Sequence, residues 1–484
     1  MITSDSRSSP SGPMRVAGSE KDLRADLAMA LICLAWFSWF AYLALHRWHG
    51  LGFGAFDIGI FDQGIWLLSV GEEPFVTLRG LHLFADHASY LVILLVPIYW
   101  VWADARALIL ITVLAPAIAG WLTYRIARFE GLRPWHGVVV GVTVLAMPAM
   151  AWTPWDAFHP ETLAVALLPA GYLAARRRRF LLAIVLVGLV LLAKEDAGLV
   201  IVPFAVYMWW RWRESRRHAV ALVGVAVAIQ ALSLFVVLPG LSPTGELIYS
   251  SRYTWDFGEL ATWSRALYLP SMLLPAALAL WAPRFLLIGL PITLANLANL
   301  HGYQHEIRWH YSAYLLGVLA IAVPLGASRL ARRLESPGRV GKGPPGGVYT
   351  VLGAALVVSV VGLASVGPQL VTWYGLWSGL VSSERVEFEE LLAAIPDDAA
   401  VTATWTIAPH LGHRTQIFMA PNPFSPRFWG DYGELPPLPD PSIIEYMAID
   451  TRQDIEEIDV MVEQAIDGGW TVEIDGTFTL LKRP

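Results

Sequence analysis

Apolar blocks joined by short polar stretches fill the chain from residue 26 to about 367, and then the pattern changes. Eleven blocks stand out: 26–46, 104–124, 137–153, 160–176, 178–194, 197–210, 219–238, 264–281, 284–300, 309–328 and 347–366. Most approach the ~17–25 residues with which a helix crosses a bilayer. A twelfth run, "SYLVILLVPIYWVW" at 89–102, is shorter and holds Pro97. The pattern predicts an all-α polytopic membrane domain over 26–367, behind a Ser-rich disordered tail, 1–25. The first block lacks an A-x-A-like cleavage site and reads as a retained helix.

Past residue 368 the apolar and polar positions alternate on a shorter scale. "SERVEFEELLAAI" reads as an acidic helix ended by "PDD", and "AVTATW" as a short strand. A short helix and a strand follow, then the Pro-rich "PNPFSPRFWGDYGELPPLPDPS". "IIEYMAID" reads as a strand, "QDIEEIDVMVEQAI" as a helix, and "GWTVEIDGTFTLLKR" as a hairpin turning at Asp475–Gly476. A small α/β domain over 368–484 is expected.

Charge orients these blocks. If the N-terminus is cytoplasmic and 89–102 stays juxtamembrane, the cytoplasmic joints are "RIARFEGLRPWH", "RRRR" at 176–179, "RWRESRRH", Arg284 and "SRLARRLESPGRVGK". Those are the basic clusters, as the positive-inside rule requires. A crossing at 89–102 would put every later basic joint outside. The run 180–210 is read as a hairpin with "KED" at its outer tip. As one straight helix it would bury three charges, at roughly 2.5–3.5 kcal/mol each. Eleven crossings in the plasma membrane then leave the C-terminal domain extracytoplasmic. With 56% hydrophobic residues and only 34 basic ones, which cluster in short runs between apolar blocks, the chain has no nucleic-acid footprint. Cys33 is its sole cysteine, which excludes an intrachain disulfide.

The acid–base groups collect in the outer joints. The first outer loop, 47–103, carries Asp57, Asp62, Arg79, His82, Asp86 and His87. The turn "WTPWDAFHPETL" brings Asp156, His159 and Glu161, and the hairpin tip brings Lys194, Glu195 and Asp196. The loop near 240–262 adds Arg252, and "NLHGYQHEIRWHYSAY" adds His305, Glu306, Arg308 and His310. Any one of these carboxylates could be solvated loop surface, and Asp57, just ahead of "IGIFDQGIWLL", could be a helix N-cap. Asp62 and Gln63 would then lie on an interfacial helix. "HEIRWH" spaces its histidines five apart and is not an HExxH zinc site. A looser divalent metal site could draw on His159, Glu161, His305 and Glu306. "GKGPPGG" lacks the phosphate-loop spacing and suits a linker. The Trp and Tyr residues belong to interfacial belts.

Four ordered motifs carry a resemblance: "FDIGIFDQGIWLLSVGEEPFVT", "ADHASYLVILLVPIYW", "WDAFHPETLAVAL" and "LLAKEDAGL". In this order the chain resembles the bacterial and archaeal membrane proteins grouped as domain of unknown function 2079. That family is in turn similar to the C-type glycosyltransferases, which use polyprenyl-phosphate-linked sugars. The resemblance implies transfer of a sugar from such a carrier to a glycan, lipid or protein acceptor on the outer face. It implies a first-loop aspartate as general base: Asp57, with Asp62 as second choice. Arg79, Lys194, Arg252 and Arg308 would face the leaving phosphate. Asp86, His87, Asp156, His159, Glu161, Glu195, Asp196, His305 and His310 complete the expected substrate-binding set. A transporter or flippase for a lipid-linked sugar, and a non-catalytic envelope assembly protein, are the competing readings. A transporter would show inverted repeats and a polar path near the midplane, and no repeat is visible.

The topology has a direct test. A reporter fused after Gly338 is expected to be cytoplasmic and one at Pro484 external; the reverse pattern, or both on one side, would overturn the eleven-crossing assignment.

Overall fold

A computed structural model describes residues 20–253, 258, 261–335, 347–368, 379–427 and 438–484. The N-terminal tail to residue 19, the "GKGPPGG" linker up to Gly346 and residues 428–437 of the Pro-rich loop lie outside the described residues. So do Trp255, Asp256 and Glu259 in the loop near 240–262.

Each of the eleven apolar blocks is helical, and in block 137–153 proline marks where the helices open. Pro134 and Pro148 open the helices Pro134–Leu145 and Pro148–Trp152, which together make up block 137–153. Proline has no N–H to donate, so a helix start is where it fits. Among the described residues, five helical segments are long and apolar enough to span a bilayer: Glu20–His49, Ala105–Phe129, Arg213–Leu241, His310–Glu335 and Gly347–Val366. Shorter apolar helices include Phe180–Leu192, Gly198–Arg211 and Pro283–Ala298. His310–Glu335 is the hub, packed on all sides except at its C-terminal turn. Small residues allow this: a Cβ on Gly326 would sit 1.8 Å from the Leu278 carbonyl oxygen. Close backbone approach through small residues is how apolar helices associate when water supplies no driving force.

The two ends of the helices differ in chemistry. At the end holding the start of the first helix, Arg128 meets Asp22, and Arg176 Nε meets Glu130 at 2.6 Å. Arg178 pairs with Glu214 there, and the Ser328 hydroxyl donates to the Glu130 carbonyl at 2.6 Å. At the opposite end lie the joints that carry the histidines and most of the buried acids.

That second end is covered by the C-terminal domain. A two-stranded hairpin, β1 (Phe75–Val76) with β2 (Leu81–His82), belongs to the first loop. The domain itself is a five-stranded sheet of β3 (Val401–Ala403), β4 (Ile417–Met419), β5 (Tyr446–Asp450), β6 (Thr471–Ile474) and β7 (Phe478–Lys482). The order is β4-β3-β5-β7-β6, with β3 parallel to β4 and β5 and the β5–β7–β6 pairings antiparallel. The outer face of the sheet buries Ile458, Met461 and Ala465 of the helix Glu456–Asp467. The other face, with Phe388 and Leu391, shares one apolar core with Phe53, Ile58, Phe61 and Ile65 of the first loop.

This packing changes the expected place of the helix Ile60–Val70. An interfacial surface helix was expected there; instead Asp62 is 2% exposed and Gln63 fully buried. The C-terminal domain covers that surface and supplies the partners a buried acid needs. Asp62 Oδ1 accepts from the Tyr99 hydroxyl at 2.6 Å and faces His413 Nε2 at 3.1 Å. Gln63 Nε2 donates to the Arg414 carbonyl at 3.1 Å, and the Thr77 hydroxyl donates to the Ile417 carbonyl at 2.6 Å. The segment 89–102 lies along the same helix, with Trp100 Nε1 donating to the Ser69 carbonyl.

The Asp62–His413 contact predicts a pH-dependent latch. Burial pulls the His413 pKa down, but the Asp62 charge and hydrogen bond outweigh it and leave it raised. A raised histidine value contributes stability below the unfolded value of ~6.5 and loses it as pH climbs through the folded one. Asp62→Asn should therefore destabilise the docked domain by about 1.5–3 kcal/mol at pH 6, the worth of a charge-assisted bond. It should also flatten the pH dependence of the melting temperature. An unchanged melt and pH profile would remove the latch.

Candidate functional site

The site is built from two turns that the backbone enters against its preference. Asp57 has φ 61° and ψ −88°, inside the kinked turn Ala55–Gly59, and Ala157 has φ 70°. Positive φ in a residue with a side chain costs of order 1–3 kcal/mol and persists only where the surroundings impose it. For Asp57 the surroundings are visible. Trp405 of the C-terminal domain fills the space where a Cβ on Gly54 would go, 1.8 Å from its ring, and Phe56 stacks on Trp405 with centroids 5.5 Å apart. Below the turn, Arg47 donates to the carbonyls of Gly52 and Trp155 and lies 4.6 Å from the Trp155 ring. It thereby ties the two turns together.

Asp57 does not cap the helix that follows. That helix begins at Ile60 without a side-chain cap, and only the Asp57 carbonyl accepts from its first turn. The Asp57 carboxylate turns instead to His159, with Oδ1 3.1 Å from Nε2. The Asp57 side chain is 43% exposed and that of His159 only 7%. The carboxylate is therefore the open edge of a group that runs inward.

Behind Asp57 the group is continuous. The His159 ring lies parallel to that of His310, centroids 3.4 Å apart and planes 16° off parallel. His310 Nδ1 is 2.9 Å from Asp156 Oδ2, which also accepts from the His310 backbone N–H. His310 Nε2 lies 3.6 Å from Glu161 Oε1, and Lys194 Nζ is 3.4 Å from the same oxygen. Lys194 also faces the Tyr311 ring at 4.9 Å. Asp57, Glu161 and Lys194 are thus joined through the two imidazoles.

The electrostatics follow from burial. Burial pushes the Asp156 carboxyl well above its ordinary value, and the Asp57 charge adds to that against the pull of His159. Burial works to lower His159, but Asp57, Asp156 and Glu161 outweigh it and raise the imidazole. Both shifts keep a proton inside the group next to the Asp57 carboxylate. At Lys194, burial is outweighed by Glu161 and its acidic neighbours, which hold the ammonium charged.

A second group adjoins the first through Phe56, whose ring lies 5.4 Å from the Arg79 guanidinium. Arg79 pairs with Asp86 at 3.2 Å, and Tyr249 bonds both of them. Arg79 and its hydroxyl partner leave the Asp86 carboxyl strongly acidic despite burial. His87 Nδ1 meets Glu195 at 2.8 Å, and its ring stacks on Tyr249 at 4.9 Å. Arg252 covers the Tyr249 ring at 4.3 Å. Asp196 lies buried beside Lys194 and Glu195, and burial lifts its carboxyl to about 6.

Other expected residues fall elsewhere. Asp62 belongs to the latch with Tyr99 and His413, while Asp57 turns to His159. Arg308 pairs with Glu306 at 2.6 Å on an exposed turn. His305 is buried, with no partner on either ring nitrogen among the described residues. Of the expected metal candidates, His159 lies in the one three-residue cluster found among the described residues, Asp156, His159 and His310, while His305 and Glu306 do not. Arg47, Tyr249, Tyr311 and Trp405 were not expected. Arg47 could have been noticed as a charge at the very end of an apolar block; the others carry no local signal.

A family described as "Predicted membrane protein (DUF2079)" matches residues 47–476, and the chain belongs to that family. No curated protein matches the chain. Among solved structures, the crystal structure of ArnT from Cupriavidus metallidurans in the apo state is similar at TM-score 0.49 and 14% identity. The likeness covers 93% of this chain and 98% of that one. A likeness of that depth assigns this chain no activity.

The Glu161–Lys194 pair sets a stability prediction. Lys194→Met strands a buried carboxylate, which typically costs about 3–5 kcal/mol. The double variant Lys194→Met/Glu161→Gln should recover much of that in thermal melts of the purified protein. A single variant as stable as the parent would mean that the pair is solvated.

Proposed function

We propose that this protein is a membrane glycosyltransferase that moves a sugar from a polyprenyl-phosphate carrier to an acceptor hydroxyl on the outer face of the membrane. The observation that carries the reading is Asp57: a strained, half-open carboxylate at the edge of a buried, proton-holding group, in a membrane protein whose polar joints gather at one end of its helices. The four ordered motifs and their resemblance to families similar to the C-type transferases support it. A permeation path would instead string polar groups between the two ends.

The chemistry fits the groups in place. The acceptor oxygen bonds to the anomeric carbon as the carbon–oxygen bond to the carrier phosphate breaks. The hydroxyl proton passes to Asp57, whose Oδ2 is engaged by no hydrogen bond among the described residues. His159 holds Oδ1 and fixes the direction of the carboxylate. The phosphate leaves with negative charge that needs cationic or N–H partners. Arg252 and the half-buried His87 stand nearest the surface for that role, whereas Arg79 is locked by Asp86 and Tyr249. Lys194 acts from behind, as the counter-charge of Glu161, and not on the substrate.

Asp57→Asn keeps the volume and loses the base. Transfer from a polyprenyl-phosphate sugar should fall about 10²–10⁴-fold, with unchanged membrane level and melting temperature. Transfer at the parental rate in Asp57→Asn would end the catalytic assignment.

A further inference from the structure

We propose that Asp156, His159 and His310 form a binding site for one divalent transition-metal ion of the zinc class. This deepens the transferase reading by naming what the inner residues hold, and it is tested independently of transfer. Each of the three residues offers a ligand atom within 4.8 Å of the others. A four-coordinate zinc ion at ~2.0–2.1 Å from its ligands spaces them more tightly, so binding would turn the two stacked rings toward Asp156.

The second observation concerns unused atoms. Asp156 Oδ1 and His159 Nδ1 are buried and have no hydrogen-bond partner among the described residues. Asp156 is 6% exposed and His159 5%. Buried polar atoms left without partners are uncommon and call for a reason such as an ion. Both belong to residues whose other atom is already engaged. His159 uses Nε2 on Asp57, and Asp156 uses Oδ2 on His310.

That division of labour matches metal sites. A ligating histidine usually gives its second ring N–H to a carboxylate, which fixes the tautomer and orients the ring. His159 would ligate through Nδ1 and donate from Nε2 to Asp57. His310 would ligate through Nδ1, the nitrogen that now faces Asp156 at 2.9 Å, and turn Nε2 toward the Glu161 carboxylate at 3.6 Å. Two imidazole donors and one carboxylate suit zinc, manganese or iron and disfavour magnesium and calcium, which prefer all-oxygen sites.

The consequence for Asp57 is that the ion would act through His159, holding the proton on Nε2 and so holding the carboxylate in place. His159 is then a positioning residue as well as a ligand.

The test uses the full chain purified without chelator. Elemental analysis should find about one equivalent of a transition metal per chain. After stripping, zinc or manganese should raise the melting temperature and magnesium should not. Cobalt loading should give visible absorption bands that vanish in His310→Gln and in Asp156→Asn. Since either variant could fold poorly, circular dichroism and the melt without metal are recorded beside each spectrum. Sub-stoichiometric metal with no thermal shift on zinc or manganese would overturn the proposal. So would cobalt bands that persist in both variants. Stoichiometric metal in a protein without sugar transfer would sink the transferase reading and leave the metal site standing.

Discussion

A charge that cannot be left alone organises this molecule. Lys194, Glu195 and Asp196 sit at the tip of a hairpin whose arms, Phe180–Leu192 and Gly198–Arg211, are too short to lift them clear of the helices. Lys194 is 5% exposed. A buried ion without a counter-charge costs several kcal/mol, so each charge in the tip must find one. Lys194 takes Glu161 from the second turn and Glu195 takes His87 from the first loop. Once those contacts exist, His159 and His310 are brought face to face and Asp57 has a partner. The site is what remains when the tip has been neutralised.

The C-terminal domain completes this arrangement from above. Trp405 at Gly54 and Phe56, His413 at Asp62, and Ile417 at Thr77 meet the first loop at three separate places. The loop is thus fastened between helices below and a sheet above. Strain at Asp57 can be sustained only in such a setting, because an unsupported loop would relax to an ordinary turn.

Much of this is legible in the sequence, for physical reasons. Apolar blocks announce helices because a bilayer leaves few other ways to satisfy a backbone. The strands and helices after residue 380 follow their alternation, and Asp475–Gly476 marks the hairpin as turn chemistry requires. The inventory of the site could be read because ionisable residues gather in the joints at one end of the apolar blocks. Pairings could not be read, since they join distant stretches. His413 lies 351 positions from Asp62, and Tyr249 lies 163 from Asp86. Nothing local told Asp62, which is buried under a domain, from Asp57, which is half open. The same blindness grouped His305 and Glu306 with His159, when Asp156 and His310 are its neighbours.

The latch also has a meaning for how the protein is made. Asp62 and Gln63 emerge from the ribosome well before His413, which lies 351 positions after Asp62. Until then the first loop carries a carboxylate and an amide shaped for partners that do not yet exist, and the turn around Asp57 has no lid. A chain cut short before the last domain would hold every membrane helix and still lack an ordered first loop. The order of translation thus makes synthesis of the domain that carries Trp405 and His413 the checkpoint for a finished site.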